Sequence, residues 1–539
     1  MRPGTPDRSP LLWILLPFCI GSFIAAHATT PSILLSAGLG ALFSILAILY
    51  YKRSLSFWIV SIALASLSLG NLRYAVQNPG PLDRLEFPER EAQLEVQVER
   101  VFRSKSAYLN GFAKIRAADT HLEDFVGKRI YFSVYASEQI SELLPSTILL
   151  LKGIAAKFKA TPSAFDDFLS ANKIQITLKR GHVVEIRKQP TLWRRMAKTL
   201  NNNLLTIISR GIRDLPEQLQ TYAAMTLGLR GQLTPAQKDV FLKSGAMHLF
   251  AISGLHVGVI AACGHSFFLL LRMPQKWILF LNTGFVLIFV LATGGAASAW
   301  RAFAMIAAYY FSLFSKRQSS LLNALVLSAI LCLLIDPRQL FQAGFQMSYA
   351  TVGAIVMYGI PLSDFMQSKW KPFAMLPRSL WKIPHHIVSR SGKYLIGSAC
   401  ICISAFTTSS LLSIIYFNLF STIGAVVNLA YLPLAALVIS AGFCSILCGI
   451  LFLAPLSILF NHSAALLLTV LDWLSTVAAT SEISYVSYEN SHQPGLFAAL
   501  IGLLVIMAIL YARNWTPRKA TLLIPPLYSI SIAVLFAWF

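Results

Sequence analysis

Apolar runs of spanning length alternate with polar breaks along most of this chain, and one long interval follows a different period. The runs lie near 11–28, 31–50 and 55–71, then 247–271, 277–293, 297–315, 320–335, 345–361, 394–416, 419–440, 442–457, 495–511 and 520–538. A helix needs about 20 apolar residues to cross a bilayer, so roughly thirteen spans are expected, the shorter ones relying on bilayer thinning or snorkelling. Between Tyr74 and Arg187 the period switches to two. Leu94, Val96 and Val98 alternate with Glu95, Gln97 and Glu99; Ile130, Phe132 and Val134 with Arg129, Tyr131 and Ser133; Ile174, Ile176 and Leu178 with Gln175, Thr177 and Lys179. Five or six short strands of this kind predict a small β-barrel, and an OB-like barrel fits the length. Residues 191–245 regain helical spacing with basic content, as expected of amphipathic linker helices on the outer membrane surface, with Pro216 and Pro235 near helix starts.

The expected fold is therefore a polytopic α-helical membrane protein with an inserted extracytoplasmic β domain. Its expected segments are N-terminal transmembrane helices (1–73), the OB-like domain (74–190), linker helices (191–245), a channel domain (246–515) and a last transmembrane helix (516–539).

Composition changes the picture only by making it firmer. With 56% hydrophobic residues, 13% charged residues and a mean hydropathy of +0.62, a chain of 539 residues has too few charges to cover a water-soluble surface. The net charge of +22 is uneven: residues 1–190 carry 22 Lys/Arg against 15 Asp/Glu, and residues 191–539 carry 23 against 8. Such an excess suits either positive cytoplasmic loops or a path for a polyanion. Placing Arg2 and Arg8 in the cytoplasm also places Lys52-Arg53, Arg272 with Lys276, Lys316-Arg317, the stretch Lys369 to Lys393, and Arg513, Arg518 and Lys519 there. The N-terminus is then cytoplasmic and the β domain extracytoplasmic. The cost is that Leu467–Thr480, which holds Asp472, must lie in the outer interface. Residues 11–28 also read as a signal peptide, since Ala26-His27-Ala28 has the small-x-small pattern. All seven cysteines lie in apolar runs, so no disulfide framework or zinc spacing follows.

Candidate chemistry clusters in His248-Leu249-Phe250-Ala251-Ile252-Ser253-Gly254-Leu255-His256-Val257-Gly258. Ionisable groups in an apolar span are costly and mark transport paths by default, while helix–helix hydrogen bonding is the structural alternative. On one helix His248 and His256 would share a flank, with Ser253 three residues from His256. As metal ligands they lack an acidic partner in the span. As nucleophile and base, Ser253 and His256 would be poorly aimed on one helix. Arg301 lies toward the outer end of its run, where it either snorkels or turns its planar guanidinium inward to grip phosphate. Gln342, Gln346, Asn418 and Asn428 read as helix glue or pore lining, and Gly424 and Pro433 flank Asn428 in a segment able to unwind. On the barrel, Tyr108, Phe112, Lys114 and Arg116 share one side of a strand, and Arg129, Tyr131 and Tyr135 one side of another. Aromatic platforms beside cations suit single strands, because every base has a π-face; a solvated wall is the alternative. Arg194 and Arg195 extend this basic surface.

No GxxxxGK[ST] pattern occurs, so an ATP-driven motor is expected to be a separate protein. Two other classes stay open: a secondary transporter for a small anion, and a structural membrane protein of an envelope complex.

The motifs also carry a resemblance. HLFAISGLHVG (248–258), TPSAFDDFLSANKI (161–174), AMTLGLRGQL (224–233), SAWRAFAMIAAYY (298–310), IDPRQLFQAGFQMSYA (335–350) and STIGAVVNLAYLPL (421–434) stand in order, and the chain resembles the ComEC family of competence proteins. The resemblance implies passage of single-stranded DNA across the inner membrane, with a channel domain from about residue 220 to 515. It implies that His248, Ser253, His256, Arg301, Gln346 and Asn428 line or shape the path. It further implies an extracytoplasmic DNA receptor and a cytoplasmic motor as partners, surrounded by membrane lipid. Many members carry a C-terminal metallo-β-lactamase-like domain; no HxHxDH occurs in this sequence, so a short form is expected, with any nuclease supplied separately and no cofactor or catalytic residue of its own.

Overall fold

A computed structural model describes residues 10–28, 33–51, 53–77, 89–102, 108–135, 143–158, 169, 174, 176–315, 320–480, 485–487, 493–513, 515 and 521–538. The chain divides into two compact units, Gly80–Asn203 and Met1–Pro79 with Leu204–Phe539.

The first unit is a closed five-stranded barrel: β1 (Arg90–Phe102), β2 (Tyr108–Ala118), β3 (Arg129–Tyr135), β4 (Ile148–Lys157) and β5 (Ile176–Lys188), in the order β1-β2-β3-β5-β4. All pairs are antiparallel except β3 with β5, which is parallel. Alternation dictates the interior: Leu94, Val96, Val98, Ile115, Ile130, Phe132, Val134, Leu149, Leu151, Ile176 and Leu178 point inward and form one buried cluster. Closure removes the sheet edges that would otherwise seek partners. Five of the expected strands exist, and most of TPSAFDDFLSANKI lies outside the described residues, apart from Leu169 and Ile174.

The helical unit begins with α1 (Leu12–His27), α2 (Ile33–Tyr50) and α3 (Leu55–Gln77). α1 and α3 cross at Gly21 and Gly70, where an added Cβ would fall 1.9 Å from Leu67 O and 2.2 Å from Phe18 O. It continues through α4 (Leu192–Ile208), whose C-terminal part it contains, α5 (Pro216–Leu227), α6 (Pro235–Lys243), α7 (Gly254–Leu270), α8 (Gln275–Ala292), α9 (Ala297–Phe314) and α10 (Leu321–Ile335). The side chains of Arg73 and Gln77 donate to the carbonyls of Leu334 and Ile335, capping the C-terminus of α10 from α3. Next come α11 (Ala343–Ala354), a π-helical turn at Ile355–Gly359, α12 (Ile360–Lys369) and α13 (Ile383–Phe417). The π turn frees a carbonyl from the regular ladder, and Trp515 Nε1 donates to Met357 O at 2.8 Å while Tyr358 Oη donates to Leu522 O at 2.7 Å. The remaining elements are β6 (Leu419–Ser421), α14 (Gly424–Ile450), α15 (Ala454–Ala479), β7 (Tyr485–Ser487, paired with β6), α16 (Gln493–Ala512) and α17 (Ile524–Trp538).

Among the described residues, seven helices are long and apolar enough to cross a membrane: Ile33–Tyr50, Leu55–Gln77, Gln275–Ala292, Ile383–Phe417, Gly424–Ile450, Ala454–Ala479 and Pro494–Ala512. Shorter apolar helices include Leu12–His27, Gly254–Leu270 and Leu321–Ile335.

Three boundaries differ from the sequence expectation. The runs 419–440 and 442–457 are redistributed: α14 continues through residue 441 to Ile450, and Leu467–Ala479 forms the second half of α15 rather than a separate interfacial segment. Gly442 does not break α14 because its bare face admits Tyr222 and Thr226. The basic stretch Lys369–Lys393 is not one loop, since α13 begins at Ile383. Finally, α5 is not a surface helix. Thr221 through Leu227 are consecutively buried, and Asn461 in α15 donates to Ile207 O (3.0 Å) and Arg210 O (2.9 Å), pinning the end of α4 into the helical unit. Residues 221–227 are buried on every face, from alanine and threonine to Tyr222 and Met225, so this half of α5 leaves no amphipathic signature to read.

Candidate functional site

The signature 248–258 is not one helix. His248 sits exposed in a 3-10 turn (Ala246–Phe250), held by a 2.8 Å contact between Nδ1 and Gly245 O, and Ser253 is the residue at which α7 starts. The break takes His248 out of the helix on which His256 lies. Ser253 Oγ lies 2.9 Å from His256 Nδ1, and the Ser253 backbone N–H donates to the same nitrogen at 3.2 Å. This is a capping box with histidine at the third helical position, which ordinarily takes Glu or Gln. The arrangement satisfies amides at the start of α7 that would otherwise be unpaired in an apolar setting. His256 itself is fully buried. Ser298 Oγ, at the start of α9, donates to Ile252 O, and Arg230 Nε donates to Phe250 O at 2.7 Å, so the 3-10 turn is tied on both sides.

Ser253→Ala is expected to cost about 1 kcal/mol of stability, the usual worth of a cap. His256→Gln is expected to keep the reciprocal bond and the stability. Thermal unfolding of the two variants in detergent checks both, and a His256→Gln protein as unstable as Ser253→Ala would refute the capping role.

Arg301 turns inward. It is only 4% exposed, and its Nη2 donates to Gly344 O in the first turn of α11 at 2.8 Å, while Nε is buried with no hydrogen-bond partner. Snorkelling to the interface is thereby excluded for this rotamer. A Cβ on Gly344 would stand 3.6 Å from Nη2, an ordinary contact, so it is the carbonyl rather than the missing side chain that holds the guanidinium here. Tyr349, farther along α11, donates from its hydroxyl to Ser328 Oγ at 3.3 Å.

The other channel candidates hold quieter positions. Gln346 is half-buried and donates from Nε2 to Leu340 O at 2.9 Å, closing the turn before α11. Asn428 is half-buried on α14, five residues before Pro433, and Asn418 takes the left-handed conformation (φ 53°) that ends α13. Sequence reasoning missed Asn461 and Asn282. Both are fully buried amides that bridge helices, Asn282 donating to Ala261 O at 2.8 Å and to Tyr310 Oη at 2.9 Å. A polar amide inside a run such as Leu459-Phe460-Asn461-His462 was the available signal.

On the barrel, the register brings Tyr108 opposite Tyr135, Phe112 opposite Tyr131 and Lys114 opposite Arg129, so β2 and β3 share the expected face. The face is not uniformly open. Phe112 is buried beneath Leu169 and Ile174, and Tyr131 is half-buried beside them, where desolvation pushes its hydroxyl pKa up. The cations are also partly engaged: Arg129 pairs with Glu99 at 2.7 Å, Arg116 donates to Gln97, and Arg187 pairs with Glu95. These are exposed pairs, worth only about 0–1 kcal/mol each and easily exchanged for another anion. Lys114, Tyr108 and Tyr135 stay exposed. Arg194 and Arg195 are exposed at the start of α4, beside the equally exposed Leu192, Trp193 and Met196. Among the described residues, no group of three His, Cys, Asp or Glu side chains is placed to hold a metal ion.

Comparison with known proteins adds a common origin. The chain is 32% identical to ComE operon protein 3 of Bacillus subtilis (strain 168) over 142 residues, 26% of this chain and 18% of that protein. It is 25% identical to Recombination protein 2 of Haemophilus influenzae over 171 residues, 30% of this chain and 22% of that protein. The aligned stretches thus span about a fifth of either relative's length. No solved structure matches. The family described as Competence protein matches residues 225–514, from the buried half of α5 to the end of α16, and takes in the capping box, Arg301, Gln346, Asn428 and Asn461; the chain belongs to that family.

Proposed function

We propose that this protein is an inner-membrane channel through which single-stranded DNA enters the cell during natural transformation. The observation that carries the proposal is Arg301: a membrane protein of the competence family keeps a guanidinium buried in its helical unit with donors to spare. An unpaired intramembrane cation is costly and is retained where it meets a passing anion. The barrel supports the same reading, because a closed five-stranded order β1-β2-β3-β5-β4 with β3 parallel to β5 is compatible with the OB class, whose second and third strands face oligonucleotides. There Lys114, Arg116, Arg129, Tyr108 and Tyr131, with Arg194 and Arg195 on α4, gather the strand. His248, Ser253, His256, Arg301, Gln346 and Asn428 shape the path, with the Ser253–His256 cap positioning its mouth. The N-terminus lies in the cytoplasm and the barrel outside it. A separate cytoplasmic motor drives entry, since moving each negative charge into a negative interior costs about 2.3 kcal/mol per 100 mV. An extracytoplasmic receptor delivers the DNA, and a separate nuclease supplies the single strand where one is used.

The test is a deletion strain given fluorescent, marker-bearing DNA, with electroporation as the bypass. Label is expected to stop outside the cytoplasmic membrane, and transformants to vanish while electroporation still works. Unchanged natural transformation in a competent strain would overturn the channel and favour a small-anion transporter, whose binding would also lack the steep salt slope of about −0.7 per phosphate neutralised on a single strand.

A further inference from the structure

The helical unit carries a buried cation, Arg301, whose charge no acidic group among the described residues balances. Arg301 lies 96% buried, its Nη2 is satisfied by the neutral carbonyl of Gly344, and Nε has no partner. Among the described residues no carboxylate pairs with it. Asp336, in the turn before α11, is engaged instead by Arg338, at 2.8 Å from Nε and 3.2 Å from Nη2. The guanidinium rests against the first turn of α11, where Gln342 supplies no side-chain cap and no acidic residue is present, so the positive end of the helix adds to the charge rather than opposing it. Gly344 itself places no side chain beside Nη2, where an added Cβ would come within 3.6 Å. Around Arg301 stand Tyr349, Ser328 and Cys332, joined by a hydroxyl network that brings no negative charge.

A buried guanidinium without a counter-ion is costly, and its planar fork matches the paired oxygens of an oxyanion. We propose that Arg301 and the first turn of α11 form a resting anion site that takes one phosphate-class oxyanion. An incoming strand then exchanges one of its phosphodiester groups for that ion, so the guanidinium is not left without an anion at the moment of entry. The exchange rests on the channel reading above, but occupancy by a free oxyanion does not.

The experiment uses the full chain purified in phospholipid-free detergent, with radiolabelled inorganic phosphate as the probe. Wild type is expected to bind one phosphate per chain saturably. Arg301→Gln is expected to weaken binding by about 10- to 100-fold, the range that one charge-assisted hydrogen bond supplies. Arg301→Lys, which keeps the charge and loses the fork, should fall between them. Gly344→Val, which leaves the charge and obstructs the approach, guards against a failure of Arg301→Gln to fold, and it should weaken binding similarly. Equal phosphate binding by wild type and both Gln and Val variants, or no saturable binding by wild type, overturns the site. Two further arms separate the sources. Loss of bound phosphate on adding phosphatidylglycerol identifies a lipid headgroup as the resting occupant, and displacement by oligo-dT identifies exchange with the strand. Displacement by neither leaves a free phosphate as the resting occupant and removes the exchange. If Arg301→Gln abolishes phosphate binding yet transformation is normal, the anion site stands and the role of Arg301 in the DNA path falls.

Discussion

Arg301→Met is expected to make the protein harder to unfold and to lower transformation by about two orders of magnitude. Methionine fills nearly the same length of space without a charge. Removing a central arginine recovers about 2.5–3.5 kcal/mol on insertion scales, and one near the start of its helix, as Arg301 is in α9, recovers about 2–3. The lost bond to Gly344 O returns only about 1 kcal/mol of that, because this carbonyl belongs to a helix that can satisfy it. A net gain of about 1–2 kcal/mol follows, read as a higher unfolding midpoint in detergent. Uptake moves the other way, because a donor that meets each phosphate is worth about 1.5–3 kcal/mol, or 10- to 150-fold. A raised midpoint with undiminished transformation would make Arg301 a structural residue. A lowered midpoint would show that its protein contacts outweigh its burial.

Asn461→Ala is expected to be the most damaging single change in the helical unit, lowering stability by about 2–5 kcal/mol. The side chain is fully buried, and its amide serves two backbone carbonyls, Ile207 O and Arg210 O, at the point where α4 ends. Deleting it removes the side-chain donor to Arg210 O and the acceptor of the buried Tyr222 hydroxyl, at about 1–3 kcal/mol each, while Ile207 O keeps the Arg210 N–H. The turn beyond has no alternative support of this kind: Gly211 holds φ 79° against Ile458 and His462, both on α15. The first visible effect should be protease cleavage near Arg210, ahead of global unfolding. Ser463→Ala, on an exposed position of the same helix, is the control and should stay within about ±0.5 kcal/mol. Equal midpoints for the two variants would refute the pinning role.

The barrel was legible because period-two alternation has one physical meaning once a face is buried. Leu94, Val96 and Val98 point inward as read, and the β2–β3 pairing joins the residues expected to share a face. The long spans were legible for a similar reason, since length and hydropathy decide them. What escaped depends on neighbours rather than on pattern. The burial of Phe112 comes from Leu169 and Ile174, about sixty residues away in sequence. His248 and His256 look like one helical flank until Ser253 is recognised as a cap, and histidine in the Glu/Gln position hides that motif. The inward turn of Arg301 is set by the carbonyl of Gly344 on another helix, a coincidence that no local periodicity records. Asn461 stood in what read as the gap between a span and an interfacial segment, and only the continuous α15 gives it a place in the core.

The π turn at Ile355–Gly359 has a consequence for how the protein is made. Its partners, Trp515 for Met357 O and Leu522 for the Tyr358 hydroxyl, lie 158 and 164 residues downstream. At synthesis rates of about 5–20 residues per second, the turn waits roughly 8–30 s for them. During that interval a buried donor and acceptor lack their final partners, so the nascent bundle remains open at that point until Trp515 and Leu522 arrive. Their synthesis is thus what closes the helix from Ala343 to Lys369, and packing at this point is delayed rather than stepwise.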